Sequence, residues 1–471
     1  METTNERNDS FFERFFQLSK NGTNVKTEVL AGFTTFITVA YALLVIPNIL
    51  KFSGMNALGA KGDAAASIIM ANDPIVSSAY VGTCIASALG TLIMSFYANL
   101  PFALAPGLGL VSFFSYSVCI KLGYTWQQGL AAVLISGILF IIITVTSIRE
   151  QIVDSLPENL KLAITGGIGL FVALIGLKSG GIVVANPGTL VGFGSFTDKH
   201  VILTLVGIVV IAILIARNVK GAMLIGIIIT TIIGIPMGIT KLSGASLFSI
   251  PTMGKTFMAY DFKGLLSHGG TGFLGAVVSI LMVIITLSLV DLFDTIGTLV
   301  GTAQKSNMIE ADGRVRNMRK ALFSDAVGTT IASGLGTTTL ATVVESAAGI
   351  AAGGRTGLTT LVVGVLFAVS VFFSGVVGIV PAEATSPALV IVGILMMGAV
   401  KKIDFDDFTE ALPAFFTIAF MPFSYSIANG VAAGIIFYPI MKIVTGRRKE
   451  VHPIMYVMAF LFILRFILLP E

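Results

Sequence analysis

Charge is what this sequence has least of. Only 11% of its 471 residues are Asp, Glu, Lys or Arg, while 55% are hydrophobic and the mean hydropathy is +0.94. A soluble domain carries roughly 25% charged residues, so the chain is read as an all-α polytopic membrane protein. Cysteine is nearly absent as well. Cys84 and Cys119 both fall in apolar runs, which excludes a disulfide framework and a Cys-rich metal site. The histidines His200, His268 and His452 fall in loops or flanks, so a histidine proton relay has no basis. Without an accompanying His, Cys or phosphate-loop motif, the acids described below do not make an enzyme. The net charge of +4 is too small and dispersed for a nucleic-acid partner. No cleavable signal peptide is evident, and the polar first 25 residues contain only FFERFF (Phe11–Phe16), expected to lie along the membrane surface.

Long apolar runs are present in abundance. A membrane span needs about 20 apolar residues, and Gly/Pro-rich breaks cut the chain into about fourteen candidates. They start near Glu28, Val76, Pro101, Gln128, Asn159, Val201 and Ala222 and, after a polar gap, near Thr271, Ala321, Thr339, Leu358, Ser386, Pro413 and Gly430. Seven spans on each side of a gap is an odd count, which inverts the second half relative to the first, as in inverted-repeat carriers. The expected organisation is a cytoplasmic segment 1–27, a first repeat 28–242, an extracellular linker 243–270, a second repeat 271–447 and an interfacial C-terminal segment 448–471. With a cytoplasmic N-terminus, twenty of the 29 Lys and Arg residues fall inside, eight outside, and Arg465 is unassigned. No arginine falls outside, in keeping with the positive-inside rule. The tail 454–469 either crosses the bilayer or lies in its interface with Arg465 snorkelling; the interface is the expectation.

Against this background three acids stand out. Leu281–Gly301, LMVIITLSLVDLFDTIGTLVG, is long enough to cross a bilayer yet carries Asp291 and Asp294, three apart and so near one helical face. Glu345 recurs downstream, in TTTLATVVESAAGIAAGG, at the start of a small-residue helix. Ionised carboxylates at such depth face a protein interior or a wet cavity and mark functional sites. Thr295, Gly297 and Thr298 surround Asp294 with small and polar groups. All three acids are candidates for holding a transported proton, with Na⁺ left open as the coupling ion and no resident cofactor or metal expected. The third unit of each half is broken as a helix, by Pro101, Pro106, Gly107 and Gly109 in one and by Gly334, Gly336, a Thr cluster and Gly349 in the other. Paired breaks at matching positions point to a midplane substrate site. Gly107, Leu108 and Gly109 are expected to offer backbone groups to a ligand. Phe113 and Phe114 are either a platform for a planar ring or core packing. Arg355 is expected to cap a helix C-terminus or contact lipid rather than bind substrate, Glu383 to lie on the outer face, and Asp404, Asp406 and Asp407 to form a solvated face.

The segments AGFTTFITVAY (Ala31–Tyr41), ANLPFALAPGLGL (Ala98–Leu110), ISGILF (Ile135–Phe140), VDLFDTIGTLVG (Val290–Gly301) and VESAAGIAAGGRTGLT (Val344–Thr359) resemble the nucleobase/ascorbate transporter superfamily, and within it the AzgA-like adenine/guanine/hypoxanthine permeases. The resemblance covers essentially the whole chain. It implies fourteen spans in a seven-plus-seven inverted repeat divided into core and gate domains, with short β-strands in spans three and ten meeting at the midplane. It implies a purine base held between those spans and span eight, with Asp294 and Glu345 at the positions of the family's two acids. It further implies proton-coupled uptake in the cell membrane and a homodimer formed through the gate domain. Three positions depart from the pattern: Val111 and Ile46 stand where relatives commonly carry Asn, and Val343 where they carry Tyr. The implied function is import of purine bases; transport of another planar amide-like compound and a passive channel remain alternatives.

Overall fold

A computed structural model describes residues 11–65, 68, 73–146, 155–186, 188–240, 253–267, 280–281, 283–288, 290–292, 294–295, 298–299, 308 and 315–468. The start of the second repeat near Thr271, the first part of the linker (243–252) and Gly297 lie outside these residues.

The polypeptide is mostly helical. Among the described residues seven helices are long and apolar enough to cross a membrane, and shorter apolar helices lie between them. One group packs α2 (Val25–Val39), α3 (Ala42–Lys51), α4 (Pro74–Ile93) and α6 (Trp126–Val145) with three helices from the other half of the chain: α12 (Met318–Gly334), α13 (Ser346–Ala351) and α14 (Gly357–Ser370). A second group packs α7 (Glu158–Ser179), α8 (Lys199–Ala216) and α9 (Ala222–Gly234) with α16 (Ala382–Met397), α17 (Phe408–Phe423), α18 (Ile427–Val444) and α19 (Pro453–Leu468). Each group therefore draws helices from both halves of the sequence, the interleaving that a core and a gate built from two repeats require. Apolar side chains also remain on outward faces, such as Val209 and Ile213 on α8, which suits hydrocarbon as solvent.

Between α4 and α6 the chain stops being an α-helix. A π-helical turn (Met94–Ala98) leads to β1 (Leu104–Pro106), then to α5 (Leu108–Ser112) and a π-helical continuation (Phe113–Lys121). The second half matches it with β4 (Leu340–Thr342) between α12 and α13. These strands pair antiparallel as Leu104↔Thr342, Ala105↔Ala341 and Pro106↔Leu340. Pro106 has no N–H to give, which a two-stranded ribbon tolerates because both strands are edges. Backbone exposed at this depth must find partners, and it does so twice in the same way. The Thr91 hydroxyl of α4 donates to Leu104 O and accepts from Leu104 N, both at 3.0 Å. Thr329 of α12 does the same for Leu340, both at 3.1 Å. Gly90 and Gly328, one residue before each threonine, leave room for the two leucine side chains. The reciprocal pattern places an approximate two-fold axis at the Ala105–Ala341 pair.

Several features differ from the sequence expectation. A second ribbon, β2 (Val183–Asn186) with β3 (Leu190–Phe193), follows α7. Its strands are short, and at the turn Gly188 N donates to the Asn186 side chain at 2.8 Å. Residues 253–267 of the expected linker are docked: Thr256 bonds Ser78 at 2.8 Å, and Asp261, just before α10 (Phe262–Ser267), accepts from Gln128 at 3.1 Å. Asp407 is no solvated acid. It caps α17 through Thr409 N at 2.9 Å and pairs with Arg447. Around it, the fully buried Lys442 ammonium reaches Glu410 at 2.7 Å and Glu450 at 2.9 Å, while Asn159 of α7 donates to Glu410 at 3.1 Å. The Arg447 bond holds the carboxyls of Asp407 and Glu450 below the usual carboxylate range. The tail helix α19 has 16 residues, about 24 Å of axis and short of the ~30 Å hydrocarbon. It docks on the core through Met455, Ala459 and Phe462. At the other terminus, α1 (Phe11–Phe16) buries Phe16 against Leu358 and leaves Phe11 exposed.

Candidate functional site

The apolar helix α11 (Val283–Leu292) carries Asp291, and Asp294 follows two residues past its end. Asp291 is fully buried. Asp294 is only half-buried and lies against the β1–α5 junction: a Cβ placed on Gly107 would be 2.9 Å from its Oδ2 and 3.6 Å from Cβ of Ala341. The next residue, Thr295, fastens this segment to β4. Its carbonyl accepts from the Thr342 hydroxyl at 3.2 Å, and its own hydroxyl donates to Asp325 of α12 at 3.1 Å. Thr298 is buried further along.

Glu345 stands at the N-cap position of α13, past the other end of β4, and its side chain makes no capping bond. Its carboxylate Oε1 accepts the Tyr41 hydroxyl at 2.6 Å, and its carbonyl lies 3.4 Å from the Thr38 hydroxyl. Val344 beside it is 61% exposed, whereas its neighbours Ala341 to Val343 are buried. Tyr41 sits where span one itself breaks, at Ala40–Tyr41 between α2 and α3. It lies within electrostatic range of both Glu345 and Asp294, and Asp294 within range of Glu345 and Asp325. The arrangement gathers acceptors for N–H groups around one phenol donor.

The remaining candidates separate by position. Gly107 is in extended backbone at the strand–helix junction, and Leu108 begins α5; both are buried. Gly109 serves packing, since a Cβ there would lie 2.6 Å from Ile168 of α7. Phe113 and Phe114 are fully buried in the main apolar cluster, Phe114 against Gly129. Val111 is equally buried. Arg355 caps α13 by donating to Ile350 O at 2.6 Å and Gly354 O at 2.7 Å. Glu383 meets His200 at 2.7 Å at the far ends of α16 and α8.

Sequence reasoning passed over Tyr41, Asp325, Asn48 and Glu28. Asn48 follows Pro47 and donates to Thr385 of α16 at 2.7 Å, linking the two helical groups. Fully buried Glu28 takes the N–H groups of Arg355 and Thr359 at 2.8 and 3.1 Å and closes the start of α14. Proline, charge and threonine at apolar depth were the available signals. Further contacts cross between the groups where α7 and α17 end. Lys178 pairs with Asp63 at 3.3 Å, Lys121 donates to Ser424 O at 2.8 Å, and Tyr116 meets Tyr425 edge-on at 5.8 Å.

Solved structures share this fold. The transmembrane domain of a cyanobacterium bicarbonate transporter, BicA, superposes with a TM-score of 0.58 at 15% identity, covering 87% of this chain and 97% of its own. Murine Solute Carrier 26 family member A9, an anion transporter in the inward-facing state, gives 0.57 at 11% identity, covering 94% and 73%. At the level of sequence, the model of a permease family matches residues 26–433. The chain belongs to this family, the nucleobase/ascorbate transporters. It is 46% identical to a putative permease of Methanocaldococcus jannaschii, over 98% of this chain and 99% of that one. It is 38% identical to the adenine permease AdeP of Escherichia coli (99% and 98% covered). It is also 38% identical to the guanine/hypoxanthine permease PbuG of Bacillus subtilis (97% and 99%).

Proposed function

We propose that this protein imports purine nucleobases across the cell membrane by proton symport, with its N-terminus in the cytoplasm. The observation that carries the reading is the placement of Asp294 and Glu345 at the two ends of one buried ribbon, beside breaks in spans one, three and ten. Each acid accepts an N–H of the base, and the backbone at Gly107 and Leu108 borders its plane. Relatives that are permeases for adenine and for guanine/hypoxanthine support the substrate class. A carboxylate that gains a proton on one side and yields it on the other couples the base to the proton gradient. Alternating access is supported by the interleaved groups and by Lys178–Asp63 and Lys121–Ser424, contacts that must part if the groups move at that end. The excess of Lys and Arg on one side supports the orientation.

Cells expressing the protein are expected to accumulate radiolabelled hypoxanthine, guanine or adenine above the external concentration, and a protonophore to abolish it. Glu345→Gln is expected to remove uptake at unchanged abundance in the membrane. Equilibration without accumulation would mean a pore, and no uptake of any purine by membrane-inserted protein would overturn the reading.

A further inference from the structure

A short helix precedes each repeat and docks on the ends of the core helices: α1 (Phe11–Phe16) before the first and α10 (Phe262–Ser267) before the second. Their docking is the same with the repeats exchanged. Asn99, just past the π-helical turn that ends span two, donates to Phe16 O at 3.1 Å, and Phe16 packs against Leu358 at the start of span eleven. Met258 N donates to Gly334 O at 2.8 Å at the end of span nine, and Asp261 accepts from Gln128 at the start of span four. Equivalent positions of an inverted repeat lie on opposite sides of the membrane. Both helices nevertheless turn apolar side chains outward, Phe11, Phe12 and Phe15 from α1 and Phe262 and Leu266 from α10. A soluble partner covers one side only. A bilayer has an interface on each side and covers both.

The α1 end adds charge to this pattern. Phe15 meets Phe96 of the π-helical turn edge-on at 5.7 Å, Tyr97 beside it is exposed, and the Lys320 ammonium stands 5.8 Å over the Tyr97 ring. Residues 11–26, 94–99 and 315–320 hold six Lys or Arg and one acid, Glu13, whose carboxylate accepts from Ser19 N at 2.9 Å. Arg14, Lys20 and Lys320 are exposed. Rings rimmed by cations fit an interface with anionic head groups, and the cytoplasmic leaflet carries these. At the α10 end, residues 253–267 hold only Lys255 and Lys263 against Asp261. Taking the N-terminus as cytoplasmic, as proposed above, we infer that α1 and the Met94–Ala98 turn form a binding surface for anionic phospholipid. The rings enter the acyl boundary, and Arg14, Lys20 and Lys320 meet the phosphates. This surface is tied to the scaffold of the site. Asn21, just past α1, accepts from Arg316, which also donates to Arg355 O at 2.9 Å beyond the end of α13.

The chain holds a single tryptophan, Trp126, so Trp126→Phe gives a dark background for a reporter. Phe15→Trp and, separately, Tyr97→Trp are introduced into it. The full-length protein is reconstituted at low salt into vesicles of equal parts phosphatidylcholine and phosphatidylglycerol, with bromine on the acyl chains of one lipid or the other. Quenching is expected to report about a 5-fold enrichment of phosphatidylglycerol beside either indole, the share of one basic residue at a charged surface, and to lose it as salt rises. Arg14→Gln, Lys20→Gln and Lys320→Gln together are expected to bring the two lipids to parity while quenching persists. In Phe262→Trp, both lipids are expected to quench with little preference. Indoles at 15 and 97 untouched by either lipid would place this face in water or under protein and overturn the inference. Equal quenching by the two lipids, a preference that survives the triple substitution, or the same preference at 262 would overturn the anionic site. The vesicles carry both lipids in both leaflets, so the result is independent of orientation. The readout is lipid contact rather than uptake, so failure here leaves purine transport intact, and failure of transport shows as absence of uptake.

Discussion

Gly107→Ala tests the contact on which the candidate site rests. Gly107 has φ −66° and ψ 130°, a conformation any L-residue adopts, so the substitution costs no backbone strain. The effect is confined to the added methyl, 2.9 Å from Asp294 Oδ2 and 3.3 Å from Cδ1 of Leu110. Ordinary contact begins near 3.5 Å, so the carboxylate must withdraw by about 0.5 Å. Overpacking costs about 1–3 kcal/mol. Because the displaced atom ends a side chain rather than belonging to backbone, the lower part of that range applies. About 1–2 kcal/mol corresponds to a 5- to 30-fold weaker Kd for the base, with thermal stability nearly unchanged. Equilibrium binding of labelled hypoxanthine to purified protein, beside a thermal melt, reads both quantities. Gly109→Ala is the control, since its Cβ would be 2.6 Å from Ile168 on α7; it should lower the melting temperature more than it weakens binding. Unchanged binding in Gly107→Ala would refute the placement of Asp294 as a fixed ligand.

Thr91→Val and Thr329→Val each strand one buried N–H and one C=O of a β-residue, a loss of about 1–3 kcal/mol. The two variants should lower the melting temperature alike, and a silent member of the pair would break the equivalence of the two clamps. Asp407 and Glu450 have folded-state pKa values depressed by Arg447, so their contribution is complete above the ordinary carboxylate pKa of about 4 and is lost as pH falls below it. Arg447→Ala should therefore flatten the decline in melting temperature between about pH 5 and pH 3, and parallel declines in the two proteins would show that the network does not couple to acid. Lys178→Glu replaces attraction to Asp63 by repulsion. In a Cys84→Ala background, buried Cys119 beside that junction should react with an impermeant maleimide about 2- to 5-fold faster, the effect of up to ~1 kcal/mol. Equal rates would remove the pair from any role in holding the two groups together.

Local chemistry made part of this molecule legible. Pro106, Gly107 and the Thr337–Thr339 run cannot sustain a helix at membrane depth, and the paired ribbon lies where those residues break the spans. Asp294 and Glu345 were conspicuous because acids are rare in apolar runs. Other features depend on partners far away in the chain. The break at Ala40–Tyr41 contains neither Gly nor Pro; the nearest proline, Pro47, lies six residues on, inside α3. Tyr41 gains its meaning from a residue 304 positions away, and Glu28 from residues 327 to 331 away. Asp325 sits among small and polar residues of α12, and its bond from distant Thr295 reveals its place. The β2–β3 ribbon is composed of residues equally suited to a loop, with pairing supplied by the turn.

The Ala105–Ala341 axis has an implication for how chemistry is distributed over a duplicated frame. Counting three residues beyond each strand leads to Gly109 on one side and Glu345 on the other. The scaffold repeats; the charge does not. Had both copies kept an acid there, two like charges would face each other across a ribbon only three residue pairs long, in surroundings that screen them poorly. With glycine in one copy, that position lets α5 close against α7, while its counterpart keeps a carboxylate with a phenol beside it. Duplication thus yields a mould whose two lips are armed differently: one carries Glu345 on its own backbone, and the other, bare of charge itself, has Asp294 set against it from a separate segment.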